Sequence, residues 1–107
     1  MLNQDLQRDH TTVLAETFGL LADPTRLSIV IACMDQERSV GEIAAHLGSS
    51  ASLISHHLRL LRSARILKSE RRGKQVFYAM ADACVHKVLK IMIEHLFVHG
   101  HEDTNET

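Results

Sequence analysis

Between Ser49 and Gln75 the apolar residues of this chain change period, and that change fixes most of what it can fold into. From Ala51 to Ala64 they sit at helical spacing, with Ile54, Leu58 and Leu61 on one face at i, i+4 and i+7. Ile66–Glu70 and Gln75–Ala79 then read as two short strands around the turn Arg71-Arg72-Gly73-Lys74, a β-hairpin. The same stretch holds Arg59, Arg62, Arg65, Lys68, Arg71, Arg72 and Lys74 against one acid, Glu70. The whole chain is formally −1, so this +6 stretch leaves −7 for everything else. Charge so lopsided marks a local surface for a polyanion.

The residues upstream read as three more helices. Val13, Leu14, Phe18 and Leu21 are helically spaced within residues 11–21. Asp23-Pro24 supplies an N-cap and a proline at the first helical position. The second helix, TRLSIVIACMD, places Leu27, Val30, Ile31 and Met34 on one face. Ser39 and Glu42 form a capping-box pattern that opens a third helix, VGEIAAHL, closed by Gly48. Ser50 caps the fourth. After the hairpin, Asp82 caps a final helix running to about His99.

Helix, short glycine turn, second helix and basic hairpin together predict a mainly α fold with a small β-hairpin, a winged helix-turn-helix. On the fourth helix Ser52, Ser55, His56 and Arg59 fall opposite the apolar face, while His57 projects toward its packed edge. Short hydroxyls, an imidazole and a guanidinium can enter a major groove and reach base edges. The hairpin residues Arg71, Arg72, Lys74 and Gln75 would reach phosphates or the adjacent minor groove. With the cap Ser50, these form the expected DNA-binding set.

Composition agrees. The 107 residues, 45% of them hydrophobic, are expected to form one domain with a small core, ordered over about 11–99 and flexible over 100–107. No apolar run reaches the roughly 18 residues of a membrane span. The start, MLNQDLQRDH, lacks a signal-peptide stretch, so a cytoplasmic protein with two reduced cysteines, Cys33 and Cys84, is expected. No Ser/His/Asp arrangement, phosphate-binding glycine loop or H-E-x-x-H motif points to an enzyme. Four of eight histidines, His86, His95, His99 and His101, lie in the last 22 residues, which points to metal.

The segments LADPTRLSIV (21–30), SVGEIAAHLG (39–48), SSASLISHHLRLLRSARIL (49–67) and RRGKQVFYAM (71–80) resemble the ArsR/SmtB family of dimeric winged-helix repressors. The resemblance covers roughly residues 12–99. It implies a homodimer built on the first and last helices and an inverted-repeat operator in double-stranded DNA. It also implies an inducer that lowers DNA affinity. One family metal site needs Cys-x-Cys at the start of the third helix, where this chain has Ser39-Val40-Gly41-Glu42.

The other family site uses the last helix, paired antiparallel across the dimer. Aligned from Tyr78, Asp82 matches its Asp and His95 its first distal His. Cys84 stands where a His is expected, and Val98 at the fourth position with His99 next to it. On an ideal helix Cys84, His95 and His99 lie within about 60° of one face. The expected ligand set is therefore Asp82, Cys84, His95 and His99, with His86, nearly opposite Cys84, in reserve. One carboxylate, one thiolate and two imidazoles suit tetrahedral Zn²⁺ and tolerate Cd²⁺ or Co²⁺. The alternative is a thiol-based redox or sulfide-responsive repressor using Cys33 and Cys84 on the same fold.

Overall fold

A computed structural model describes residues 9–99, with the backbone alone at His99. The chain forms α1 (Thr11–Leu21), α2 (Pro24–Ala32), β1 (Arg38–Ser39), α3 (Val40–Leu47), α4 (Ala51–Ser63), β2 (Leu67–Arg72), β3 (Gln75–Met80) and α5 (Ala83–Ile93). α5 continues as a π-helical segment, Glu94–His99. The expected flexible tail, 100–107, lies outside the described residues.

The helix ends follow from local chemistry. Asp23 accepts the Arg26 N–H at 2.9 Å, and Pro24 opens α2. Ser39 Oγ accepts the Glu42 N–H at 3.1 Å and Glu42 Oε1 accepts the Ser39 N–H at 2.8 Å, satisfying two donors that a helix start leaves unpaired. Gly48, at φ 65°, closes α3 with Ser49 N–H donating to Ala44 O and its own N–H to Ala45 O. The same paired bonds close α4: Ile66 N–H donates to Leu61 O and Arg65 N–H to Arg62 O. Here the left-handed residue is Arg65, at φ 62°.

α2, α3, α4 and the base of the hairpin enclose the core. Ile29, Val30, Ile43, Ile54, Leu58, Leu61, Ile66 and Leu67 are at most 1% exposed, and Cys33 is 2% exposed. The apolar face expected for α4 is thus the buried one. That of α2 is rotated: Ile29, Val30 and Cys33 point inward, Leu27 and Met34 are half-buried, and Ile31 is exposed. α3 and α4 both pack against α2 and select the side that carries Cys33, a small residue that behaves as a hydrophobe when buried.

The sheet is larger than the expected hairpin. β1 pairs antiparallel with β3, Arg38 opposite Tyr78 and Ser39 opposite Phe77, giving the order β1-β3-β2. Two residues are too few to show alternation in sequence. Arg71 and Arg72, expected in the turn, belong to β2 and lie opposite Val76 and Gln75. The ladder runs on until only Gly73 and Lys74 connect the strands, and Gly73 takes φ 63° at the first loop position, where a tight hairpin favours glycine.

α1 and α5 project from this body. Val13, Leu14 and Phe18 are 55–61% exposed, and of the expected α1 face only Leu21 is buried. Among the described side chains, α5 and its extension bury none fully and expose Val88, Ile91, Met92, Leu96, Phe97 and Val98. An apolar groove of about 340 Å³ runs between the two helices, lined by Leu14, Phe18, Leu21, Val85, Val88 and Met92 among others. The radius of gyration is 16.1 Å, against about 13 Å for a compact chain of this length. Among the described residues no helix is long and apolar enough to cross a membrane.

Candidate nucleic-acid interface

The capping that starts α4 also aims it. Ser50 Oγ accepts the Leu53 N–H at 3.1 Å, and burial of Ile54, Leu58 and Leu61 turns the opposite side outward. Ser52, His56 and Arg59 are exposed there and Ser55 is half-buried. His57 is half-buried, as its projection implies. Its Nδ1 lies 3.3 Å from Arg26 Nη1, and its ring meets that of His56 edge-on at 5.6 Å. Arg26 Nε also donates to Leu20 O at 3.0 Å, so α1, α2 and α4 meet at this guanidinium.

Strand alternation divides the wing into two faces. Ser69, Arg71, Val76 and Tyr78 look toward α4 and, with Ser55, Arg59 and Arg62, line a cleft of about 290 Å³. Arg62 Nη1 reaches Ser69 Oγ at 3.4 Å. Among the described residues none of Arg59, Arg62 and Arg71 has a carboxylate within salt-bridge distance. The other face holds Lys68, Glu70, Arg72, Phe77 and Ala79, and there Arg72 is paired with Glu37 and Glu70. Lys74 and Gln75 are exposed at the tip. Arg62, Ser69 and Tyr78 were outside the expected set. Arg62 was visible in the charge run, but only the hairpin register shows that it faces Arg71.

Just after β3, Asp82 Oδ1 accepts the N–H groups of Cys84 and Val85, both at 3.0 Å, and so caps α5. Cys84 is an exposed free thiol, His86 is half-buried and His95 is exposed. His99 ends the π-helical segment, and its side chain lies outside the described residues. Among the described residues of one protomer, no three His, Cys, Asp or Glu side chains converge. The change to i→i+5 bonding after Ile93 also means that an ideal α-helical projection stops applying just before His95.

Cys33 is different. Burial in the core pushes its thiol up to about 11, so almost no thiolate forms at neutral pH. Iodoacetamide at pH 7.5 is therefore expected to leave Cys33 unmodified until guanidinium unfolds the protein, as read by peptide mass spectrometry. Rapid labelling of Cys33 in the native protein would show that the core opens.

A recognition-type helix beside a hairpin with a cationic inner face defines a winged-helix DNA-binding regulator. The family model for bacterial regulatory proteins of the arsR family matches residues 23–69, and the chain belongs to that family. It is thus a transcriptional regulator rather than an enzyme. It is 41% identical over 88 residues to the transcriptional repressor SmtB homolog of Synechocystis sp., covering 82% of this chain and 67% of that relative. Among solved structures it is similar to the homodimeric winged helix-turn-helix DNA-binding domain of Mb0332 from Mycobacterium bovis. That likeness has a TM-score of 0.73 and 27% identity over 86% of this chain and 89% of that one. It is also similar to the cadmium metal-sensor CmtR from Mycobacterium tuberculosis, with a TM-score of 0.63 and 38% identity over 75% and 83% of the two chains.

Proposed function

We propose that the protein is a cytoplasmic, homodimeric repressor that leaves its operator when a transition metal, Zn²⁺ before Cd²⁺ or Co²⁺, binds between paired last helices. The observation that carries the reading is the pairing of two surfaces in one chain: an arginine-lined DNA face and an unpartnered apolar α1/α5 face with metal-ligating residue types along it.

On the DNA side, Ser52, Ser55, His56 and Arg59 would address the major groove, with Ser50 at the helix start nearest the backbone. Arg71, Lys74 and Gln75 would meet phosphates from the wing, and Arg62 joins them across the cleft. Arg72 faces away, against acids.

Homodimerisation is supported by the twelve large hydrophobic side chains exposed among the described residues, nine of them on α1, α5 and the π-helical segment: Val13, Leu14, Phe18, Val88, Ile91, Met92, Leu96, Phe97 and Val98. A monomer rarely leaves a contiguous apolar surface of this kind in water. The homodimeric state of the Mb0332 domain agrees.

For the metal, the donors suit the ion. Asp82 uses one carboxylate oxygen as a cap and keeps the other without a partner among the described residues. Cys84 and His95 are free and exposed. Since the described residues of one protomer bring no three ligands together, Asp82 and Cys84 of one helix would meet His95 and His99 of the partner copy. The bound ion would supply cross-links between the two helices. What the chain contributes is a helix seam whose spacing differs between the DNA-bound and released dimers, the condition for linkage. The resemblance to a cadmium sensor supports a metal inducer over the thiol alternative, as does the burial of Cys33 in the core.

The test is fluorescence anisotropy of the dimer on its own upstream DNA, titrated with Zn²⁺ under reducing conditions. Release is expected at about one metal per protomer or fewer. DNA binding unmoved by Zn²⁺, Cd²⁺ and Co²⁺ would sink the metal reading.

A further inference from the structure

Among the described residues, Arg72 is the one wing cation held by carboxylates. Its Nη1 and Nη2 meet Glu37 Oε1 and Oε2 at 2.6 and 2.7 Å, fork to fork. Nη2 also meets Glu70 Oε1 at 2.7 Å. The guanidinium carbon lies 4.8 Å from the centroid of the Phe77 ring. With two acids against it, Arg72 adds no net positive charge to the wing.

Glu37 is placed to act as a tether. It directly precedes β1, and its neighbour Arg38 fastens that segment to the end of α2, with Nε donating to Ala32 O at 2.6 Å. β1 supports β3 only at Phe77 and Tyr78. Beyond that point the hairpin is a two-stranded ribbon, which is marginal in water by itself. The Glu37–Arg72 pair spans this unsupported length and fixes its angle to the body.

We propose that Glu37, acting through Arg72, is a positioning residue for DNA binding: it holds the outer wing where Arg71 and Lys74 face the phosphate backbone. The proposal rests on the DNA-facing reading above. It makes a prediction of sign. Removing an acid beside a basic surface ordinarily strengthens attraction to a polyanion. If Glu37 positions the wing, removing it weakens binding.

The experiment measures operator affinity of the full chain by anisotropy from 50 to 200 mM salt for Glu37→Gln, Arg72→Gln, the double variant and Arg71→Gln. Glu37→Gln is expected to bind about two- to fivefold more weakly, as befits a partly exposed ion pair. Its slope of log K against log salt should match the parent, because no phosphate contact is removed. Arg72→Gln should show the same loss and the same slope, and the double variant no further loss. Arg71→Gln should flatten the slope by about one. Unchanged or tighter binding by Glu37→Gln overturns the proposal, as does a slope flattened by about one in Arg72→Gln. A parent that fails to bind, or an Arg71→Gln indistinguishable from it, would instead overturn the DNA-facing reading and this proposal with it.

Discussion

Leu58→Ala is expected to lower the unfolding free energy by about 2–5 kcal/mol, the range for truncating a fully buried leucine. Leu58 is 0% exposed and sits between Ile54 and Leu61 on the side of α4 that packs against α2. The loss combines the transfer of the deleted atoms with the cavity left behind, since neighbours at 0% exposure are already locked in place. Small domains have only about 5–15 kcal/mol in total, so the substitution should remove a large share of it. Urea denaturation at fixed protein concentration measures the change. Leu60→Ala, two residues on and 37% exposed, is the comparison and should cost far less. Near-equal losses for the two would mean that α4 does not dock on the face described.

His95→Ala is expected to separate the two activities of the dimer. Operator affinity without metal should stay within about twofold of the parent, since His95 lies on the extension of α5, far along the chain from α4 and the wing. Metal-induced weakening, about 5–150-fold in the parent for a coupling of ordinary size, should disappear. The parent response should itself fade in acid, because imidazole and thiol must lose protons before they can bind a metal. Titration of both proteins with Zn²⁺ on the same DNA decides the matter. Full release of His95→Ala by Zn²⁺ would rule out the last-helix ligand set.

Much of the fold is legible because α2, α3, α4 and α5 each carry a side-chain cap at their start, and α3 a glycine at its end. Asp23, Ser39 with Glu42, Gly48, Ser50 and Asp82 all act through bonds spanning a few residues, and such bonds leave a mark in sequence. The face of α4 is legible for a related reason: Ile54, Leu58 and Leu61 complete an i, i+4, i+7 stripe, against only Leu53 and Leu60 elsewhere on the helix. α2 does have a competing stripe. Its exposed Ile31 looks more like a core residue than Cys33, and only the helices packed against it decide between them. β1 is too short for any period. The π-helical segment has no sequence mark that distinguishes it from α-helix.

The DNA face divides in the same way. Ser52, Ser55, His56 and Arg59 can be selected by helical projection alone. The separate fates of Arg71 and Arg72 cannot. They are adjacent, carry the same charge and alternate onto opposite sides of β2. One then faces Arg59 and Arg62, and the other meets Glu37, 35 residues upstream. A partner at that distance in sequence is fixed by β1–β3 pairing, which no local pattern announces.

α3 and α4 end in the same hydrogen-bonded motif, but one places glycine at its left-handed position and the other Arg65. A side chain there costs about 1–2 kcal/mol relative to the right-handed form, a penalty that glycine escapes. The chain therefore holds backbone strain and an exposed cation on a single residue, between the helix and the wing. Selection for a hardier fold would favour glycine at this position, and selection for grip on a polyanion would favour arginine. The residue present is the one that sacrifices robustness for charge.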